Sequence, residues 1–270
     1  MQDPKLAELA AALPPSVRIE TPAENVLQVN LARANKRNAL DDITVLGVAA
    51  VFDALPPGIG TVILAGEGDH FSAGLDLSEL STRNIRSGIE HSRLWHGIFE
   101  RIQFGSVPVI AVLKGAVIGG GLELASAAHI RVAEKSAFYA LPEGQRGIFV
   151  GGGGSVRLTR LIGVSRMMDM MLTGRSHDAE EGQAMGISHY VVEPGAGLGK
   201  ALEIAAKICT NAPMTNFAVL HALPRIAEAD PATGYLTEAL MASIAQGDEE
   251  AKRRIRDFLE KRAAKVVAPK

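Results

Sequence analysis

The sequence has few of the residues on which several classes of protein depend. It contains one cysteine, Cys209, among 270 residues, so it can form no disulfide within the chain and has no paired thiolates for a metal site. Its 28 basic residues nearly balance 30 acidic ones, and only 4% of residues are aromatic. Without a basic patch or an aromatic-basic cluster, the sequence indicates no nucleic-acid partner and no anionic membrane surface as partner.

Long apolar runs and address signals are also lacking. No window approaches 18 consecutive apolar residues, which argues against a membrane-spanning helix. The first turns carry acidic residues instead of a basic start, and the last residues, Ala268-Pro269-Lys270, are not a peroxisomal address. We therefore expect a cytoplasmic protein, and the 47% hydrophobic content is ample for a buried core.

Familiar cofactor and nucleophile motifs are missing despite 28 glycines. Gly66-Glu67-Gly68 lacks the third glycine of a dinucleotide loop, and Gly199-Lys200 precedes Ala201 where a P-loop needs Ser or Thr. Ser72 and Ser155 lack the glycines of a nucleophile elbow. The seven histidines are scattered, so we expect structural or surface roles for them and no metal site.

Strand and helix signals alternate through the first 155 residues. The pattern predicts two short strands around Pro22, a helix from Asp41 or Asp42 to about Ala54, and then strands at 61–65, 107–113 and 130–133 separated by a helix over 84–104 and a glycine-opened helix. This alternation is typical of parallel sheet layers in an α/β protein.

The pattern becomes helical after about residue 155. Amphipathic helices fit 155–162, 164–172, 178–185, 197–210, 213–229, 233–246 and 248–264, with one strand at His189–Val192. We predict a core over residues 1–195 that holds the active site and a C-terminal helical region over 196–270 that forms subunit contacts. Its apolar residues exceed what a thin helical layer can bury: Leu236, Leu240, Met241, Ile244, Ile255, Phe258 and Leu259.

Two glutamates twenty positions apart carry the most chemical information. Glu123 lies one turn into the helix opened by Gly119-Gly120-Gly121, and Glu143 follows a strand-like stretch and Pro142. The segments 70–77 and 117–123 both follow strands, so each offers unpaired N–H groups at the same sheet edge. Two carboxylates beside converging N–H groups suit proton transfer around a polarised carbonyl compound.

Six short stretches then make the chain resemble the enoyl-CoA hydratase/isomerase, or crotonase, superfamily along nearly its full length. They are Lys36–Leu40, Phe71–Asp76, Gly119–Leu124, Pro142-Glu143, Gly153–Leu158 and Leu172–Arg175. The resemblance implies a crotonase-like (ClpP/crotonase) α/β fold of repeated ββα units with a C-terminal helical layer. It also implies acyl-CoA thioester substrates, no cofactor apart from the coenzyme A of the substrate, and a homotrimer or homohexamer.

The resemblance also implies residue roles in adding water across the α,β double bond of an enoyl-CoA. The oxyanion-hole amides fall on Leu75 and Gly120, and Glu123 and Glu143 are the catalytic carboxylates. In the resembled hydratases, the position of Glu143 donates a proton to carbon and that of Glu123 activates water, although the sequence alone leaves acid and base open. The implied substrate and coenzyme A contacts are Lys36, Arg37, Ala39, Ala73, Leu75, Asp76, Leu77, Gly119 and Gly120.

The acyl group and the exact reaction stay open in the sequence. After Glu143 the usual apolar run is replaced by Gly144-Gln145-Arg146-Gly147, so we place Gln145 and Arg146 in the acyl pocket with Trp95. One alternative is an isomerase of the same fold that uses one glutamate to shift a double bond. Another is a catalytically silent binding or scaffold homologue, against which the two intact acids argue.

Overall fold

The computed structural model describes residues 4–80, 84–260 and 262. The chain divides into two compact units, of which the first ends at Cys209 and the second begins at Thr210. The first unit holds the strands found among the described residues: Val17–Ala23 (β1), Val26–Leu31 (β2), Thr61–Gly66 (β3), Val109–Leu113 (β4), Ala116–Ile118 (β5), Ile130–Glu134 (β6), Phe138–Ala140 (β7), His177–Asp178 (β8) and Tyr190–Val192 (β9). Its helices are Pro4–Ala12 (α1), Asp42–Asp53 (α2), Ile85–Gln103 (α3), Gly120–Ala127 (α4), Gly154–Ile162 (α5), Val164–Thr173 (α6), Ala179–Met185 (α7) and Gly197–Cys209 (α8).

Two sheets build this unit. The larger has six strands in the order β1-β2-β3-β4-β6-β9, in which β1 and β2 are antiparallel and every other neighbouring pair is parallel. The smaller has the order β5-β7-β8, with β5 parallel to β7 and β7 antiparallel to β8. The predicted parallel sheet layers are confirmed, although β5 and β8, of three and two residues, are too short to show a periodic signal.

The larger sheet is buried on both faces. Successive residues of a strand point to opposite sides, and in β2 Leu27 and Val29 belong to one apolar cluster while Val26 belongs to another. The second cluster includes Ala201 and Ile204 of α8. The helix α8 therefore belongs to the first unit, and the division after Cys209 lies beyond the predicted boundary at residue 195.

Local signals explain where several elements begin. Asp41 caps α2 by accepting the Thr44 N–H at 2.8 Å, as the sequence predicts. The two predicted strands exist, but the predicted turn at Pro22 is wrong. Pro22 lies within β1, and the chain turns at Asn25, whose φ is +59°. An edge strand tolerates the proline because its missing N–H is not needed by a second neighbour.

The second unit is helical. It contains Pro213–Phe217 (α9), a π-helical stretch at Ala218–Ala222, Leu223–Glu228 (α10), Pro231–Gly247 (α11) and Glu249–Leu259 (α12). The predicted single helix over 213–229 is divided by the π-helical stretch, and Pro224 opens α10, where the missing proline N–H is tolerated. Of the helix predicted over 248–264, residues 261, 263 and 264 lie outside the described residues. No helix in the described ranges has the length and apolar character to cross a membrane.

Candidate active site

Two peptide N–H groups, those of Leu75 and Gly120, lie near each other in the segments that follow β3 and β5. Leu40 donates to the Gly74 carbonyl at 2.8 Å and accepts from the Asp76 N–H at 2.7 Å, so the N–H of Leu75 points away from this pairing. Gly120 is the first residue of α4, and its N–H has no partner within the helix. A Cβ atom built on Gly120 would lie 3.2 Å from the Leu75 nitrogen. The peptide nitrogens of Leu75 and Gly120 therefore lie close together.

Glu123 is buried and is held by peptide N–H groups. It lies in the first turn of α4 and is 3% exposed. Its Oε1 accepts the N–H of Gly152 and the N–H of Gly154, each at 2.8 Å. Burial raises the pKa of the Glu123 carboxyl, while these N–H donors and the charge of Arg157 act in the opposite direction.

Glu143 has different surroundings. It precedes a short 3-10 turn at Gly144–Arg146 and is 7% exposed. Its Oε2 is buried and has no hydrogen-bond partner in the described part of the chain. Burial raises the pKa of Glu143 to about 7, and the charge of Glu123 acts in the same direction. A Cβ atom on Gly119, whose φ is +52°, would lie 2.5 Å from the Oε1 of Glu143, so only glycine fits here.

All four groups line one cavity of about 840 Å³. It is bounded by the turn at Ala73–Leu77, by α3, by the start of α4 and by the segment from Glu143 to Gly152. Its walls are mainly apolar, with the polar exceptions Asn84, His91, Ser92, Glu123, Glu143 and Arg146. A largely apolar cleft with a few convergent polar groups is typical of a small-molecule site.

The implied coenzyme A contacts fall into two groups. Ala73, Leu77 and Gly119 line the cavity together with Leu75 and Gly120. Lys36, Arg37, Ala39 and Asp76 lie outside the lining and form the adjoining loops, where the Arg37 carbonyl accepts the Ala73 N–H at 2.8 Å and Lys36 pairs with Asp76 at 3.1 Å.

Arg33, which the sequence analysis missed, ties these loops together. It bonds to the Ala39 carbonyl at 2.7 Å and pairs with Asp76 at 3.0 Å. Hydrogen bonds from the side chains of Ser78, Lys36 and Arg33 hold the pKa of Asp76 well below its usual range, and the bond from Ser78 has the largest effect. Asp76 therefore stays ionised and fixes the loop beside the N–H of Leu75.

The three residues predicted for the acyl pocket differ in their position relative to the cavity, and their contact with an acyl group stays a prediction. Trp95 and Arg146 line the cavity, and Trp95 donates its indole N–H to Asp42 at 2.8 Å. Gln145 does not line it, because the 3-10 turn directs its amide to the Thr173 carbonyl at 3.1 Å. His70 has the structural role expected for the histidines, since its Nδ1 accepts the Ala116 N–H at 3.0 Å.

The glycines at 151–154 are the main functional feature that sequence reasoning undervalued. The sequence analysis included only Gly153 and Gly154, as part of the family stretch Gly153–Leu158. The structure shows that this loop supplies both hydrogen bonds to Glu123. Side chains on Gly152 or Gly154 would approach the Glu123 carboxylate to 3.2 or 2.9 Å.

Known proteins are similar to this chain in sequence and in fold. The enoyl-CoA hydratase/isomerase family matches residues 21–267. A short-chain-enoyl-CoA hydratase of Clostridium acetobutylicum is 32% identical over 240 residues, covering 88% of this chain and 92% of that protein. A crystal structure from Rhodopseudomonas palustris CGA009, provisionally assigned as an enoyl-CoA hydratase, is 58% identical, with a TM-score of 0.90 over 94% of this chain and 98% of that one.

Some relatives are much longer. The fatty acid oxidation complex subunit alpha of Shewanella frigidimarina is 39% identical over 151 residues, which are 55% of this chain and 21% of that subunit. This chain therefore matches about a fifth of such a subunit.

The extent of these matches decides both fold and family. The family match spans most of the chain, and the enoyl-CoA hydratase of Bacillus anthracis has a TM-score of 0.86 at 29% identity over 91% of this chain and 96% of that one. The predicted crotonase-like fold is thereby confirmed. The chain belongs to the enoyl-CoA hydratase/isomerase family, as a hydratase-like enzyme of the hydro-lyase class.

Proposed function

We propose that the protein adds water across the α,β double bond of an enoyl-CoA thioester and holds the thioester oxygen with the N–H groups of Leu75 and Gly120. The observation that carries this proposal is the meeting of those two N–H groups with two buried carboxyl groups on one cavity wall. Preorganised donors of this kind stabilise the charge that develops on a thioester oxygen when the β-carbon is attacked.

The two carboxyl groups suit different steps. Burial raises the pKa of Glu123, and the two N–H bonds to its Oε1 oppose that effect by favouring the ionised form, which a general base for water needs. Glu143, with a pKa of about 7 and no partner for Oε2 among the described residues, keeps much of its proton near neutral pH. It is therefore suited to donate that proton to carbon.

The proposed step conserves atoms and electrons. The water oxygen bonds to the β-carbon while Glu123 takes one of its protons. The electrons of the double bond move into a thioester enolate, whose oxygen is held by the two N–H groups. Glu143 then protonates the α-carbon. Proton exchange with solvent returns Glu123 to its ionised form and Glu143 to its neutral form before the next turnover.

The surrounding residues indicate how the substrate is oriented in the cavity. We assign the backbone of Ala73–Leu77 and the basic side chains of Lys36 and Arg37 to the coenzyme end, where a positive charge faces phosphate groups. Trp95 and Arg146 belong to the acyl end. The ring of Trp95 lies close to Gly120, since a Cβ atom there would be 3.2 Å from its Cζ3. The acyl chain would therefore pass along the indole.

We also propose a trimer-based assembly through the helices of the second unit. Apolar side chains that are 50 to 72% exposed occur on α11 and α12, namely Leu236, Leu240, Ile244, Ile255, Phe258 and Leu259. Sedimentation should give three or six times the chain mass of 28.5 kDa. A fully active monomer at micromolar concentration would refute this assembly.

Incubation with crotonyl-CoA and, separately, with a 3-enoyl-CoA tests the reaction. We expect crotonyl-CoA to be converted to its 3-hydroxyacyl product faster than the 3-enoyl substrate is isomerised. Isomerisation alone would favour the one-glutamate isomerase. Binding of both thioesters with no turnover of either would favour the silent homologue.

A further inference from the structure

A buried arginine outside the cavity lining supports the loop that holds Glu123. Arg157 lies in α5 and is 8% exposed. Its Nη1 donates to the Gly152 carbonyl at 3.0 Å, and its Nε donates to Oε1 of Gln103 at 2.7 Å. A buried guanidinium is costly unless its donors are used, so these two bonds fix its place.

The loop is shaped around this guanidinium. Gly153 has a φ of +95°, and a Cβ atom built on it would lie 2.4 Å from Nη1 of Arg157. Gly152 and Gly154, on either side, supply the two N–H bonds to Glu123. The same peptide segment thus bonds through a carbonyl to Arg157 and through its N–H groups to Glu123.

We propose that Arg157 is a positioning residue for Glu123: it binds the Gly152 carbonyl, thereby orients the loop N–H groups, and places a positive charge near the carboxylate. The kinetic consequence rests on the proposed hydration reaction, whereas the effect on the carboxyl group does not.

The charges around the pair agree with this role. Arg157 lowers the pKa of Glu123, against the effect of burial. Glu123 and Glu100 in turn raise the pKa of Arg157, which burial and Arg160 lower. Among the described residues, His91, Glu143 and Arg146 line the cavity together with Glu123, and the charge of Glu123 raises the pKa of Glu143. His96 lies on the other side of the loop, where its Cδ2 would be 3.6 Å from a Cβ atom on Gly153.

Substitutions of Arg157 separate its charge from its hydrogen bonds. We expect Arg157→Met to lower kcat roughly 10- to 100-fold, because misplacing a catalytic group by about 1 Å costs up to about 100-fold. The KM should change less than about twofold, because Arg157 does not touch the cavity. The acidic limb of the kcat/KM profile should move to higher pH. Arg157→Lys should return the acidic limb to its wild-type position and recover part of kcat.

Two further variants control for folding. Gln103→Leu keeps the Arg157 side chain and its bond to the Gly152 carbonyl but removes the hydrogen bond to Gln103, so we expect a smaller fall in kcat with the same direction of pH shift. Arg160→Met, on the exposed side of the same helix, should leave kcat unchanged. If Arg157→Met does not fold, Arg157→Lys and Gln103→Leu decide the question: wild-type kcat and pH profile in both would overturn the proposal.

A titration that does not depend on turnover separates this proposal from the proposed function. In protein labelled with ¹³C at the glutamate carboxyls, Glu123→Gln identifies the Glu123 signal by its loss. We expect its pKa to rise in Arg157→Met and to stay near the wild-type value in Arg157→Lys and Arg160→Met. An unchanged Glu123 pKa in folded Arg157→Met overturns the positioning role. A wild-type protein that hydrates no enoyl-CoA overturns the function and leaves this titration as the deciding result.

Discussion

The region around Glu123 and the region around Glu143 contain the same side chain in the same cavity but treat its charge differently. Glu123 receives two peptide N–H bonds from the loop at Gly151–Gly154 and has Arg157 nearby. Glu143 has a pKa of about 7 and a buried Oε2 to which no group in the described ranges donates a hydrogen bond. On the proposed mechanism, this difference in local donors makes Glu123 the base and Glu143 the acid, although the residue type is the same.

Removing either carboxyl should have the largest effect. We expect Glu123→Gln and Glu143→Gln each to lower turnover of crotonyl-CoA at least 100-fold, because acid-base assistance contributes roughly 10²- to 10⁴-fold. Binding of an unreactive acyl-CoA should stay nearly unchanged, since the loss acts mainly in the transition state. If only one substitution matters, the division of labour between the two regions is wrong and the isomerase gains support.

The N–H of Gly120 is one of the two proposed donors to the thioester oxygen, and its loss should lower kcat nearly as much as the loss of a carboxyl. Gly120→Pro removes this donor at the first position of α4, where proline is otherwise tolerated. We expect kcat to fall about 100- to 1,000-fold, the usual cost of one oxyanion donor. Gly120→Ala is the matched control, because it adds a Cβ atom but keeps the N–H. A near wild-type kcat in Gly120→Ala together with an equal kcat in Gly120→Pro would refute the placement of the oxyanion hole.

The raised pKa of Glu143 should also appear in stability. Its folded pKa of about 7 exceeds the ordinary value of 4.5, so between these values the folded chain binds more protons than the unfolded chain. Stability due to this group is therefore lost as pH rises from 4.5 to 7, by about 3 kcal/mol in all. Denaturant unfolding at pH 5 and pH 8 should show a smaller loss in Glu143→Gln than in the wild type. Parallel losses in both proteins would count against the raised pKa.

Glycine substitutions perturb one region at a time and should have the smallest effects. A Cβ atom on Gly154 would lie 2.7 Å from Cγ of Glu123, and one on Gly119 would lie 2.5 Å from Oε1 of Glu143. We expect roughly tenfold lower kcat/KM from each alanine variant, with the acidic limb of the pH profile displaced in Gly154→Ala and the basic limb in Gly119→Ala. Gly195, like Gly119, has a positive φ, and a Cβ atom on it would meet no described atom within 4 Å, so Gly195→Ala controls for the backbone strain of Gly119→Ala. If the same limb of the pH profile moved in Gly154→Ala and in Gly119→Ala, the separate roles proposed for Glu123 and Glu143 would be contradicted.

The sequence indicated that Glu123 and Glu143 would come together, but it did not indicate the contacts that shift their pKa values. Glu123 and Glu143 stood out because each follows a glycine-rich or proline-fixed turn, and parallel strands bring such turns to one sheet edge. The surroundings that distinguish them depend on contacts between distant segments. Arg157 and the 151–154 loop reach Glu123 only after α5 packs beside α4, and Gln145 faces Thr173 because of a three-residue turn. Local periodicity contains no signal for either.

The pH dependence of crotonyl-CoA hydration tests the central claim most directly, because kcat/KM reports the ionisation of the free enzyme. With Glu143 as the neutral acid and Glu123 as the ionised base, kcat/KM should fall about tenfold per pH unit above a pKa of about 7, and this basic limb should vanish from the residual activity of Glu143→Gln. A wild-type profile that rises or stays level from pH 7 to about pH 9 would contradict the assignment of the two carboxyl groups.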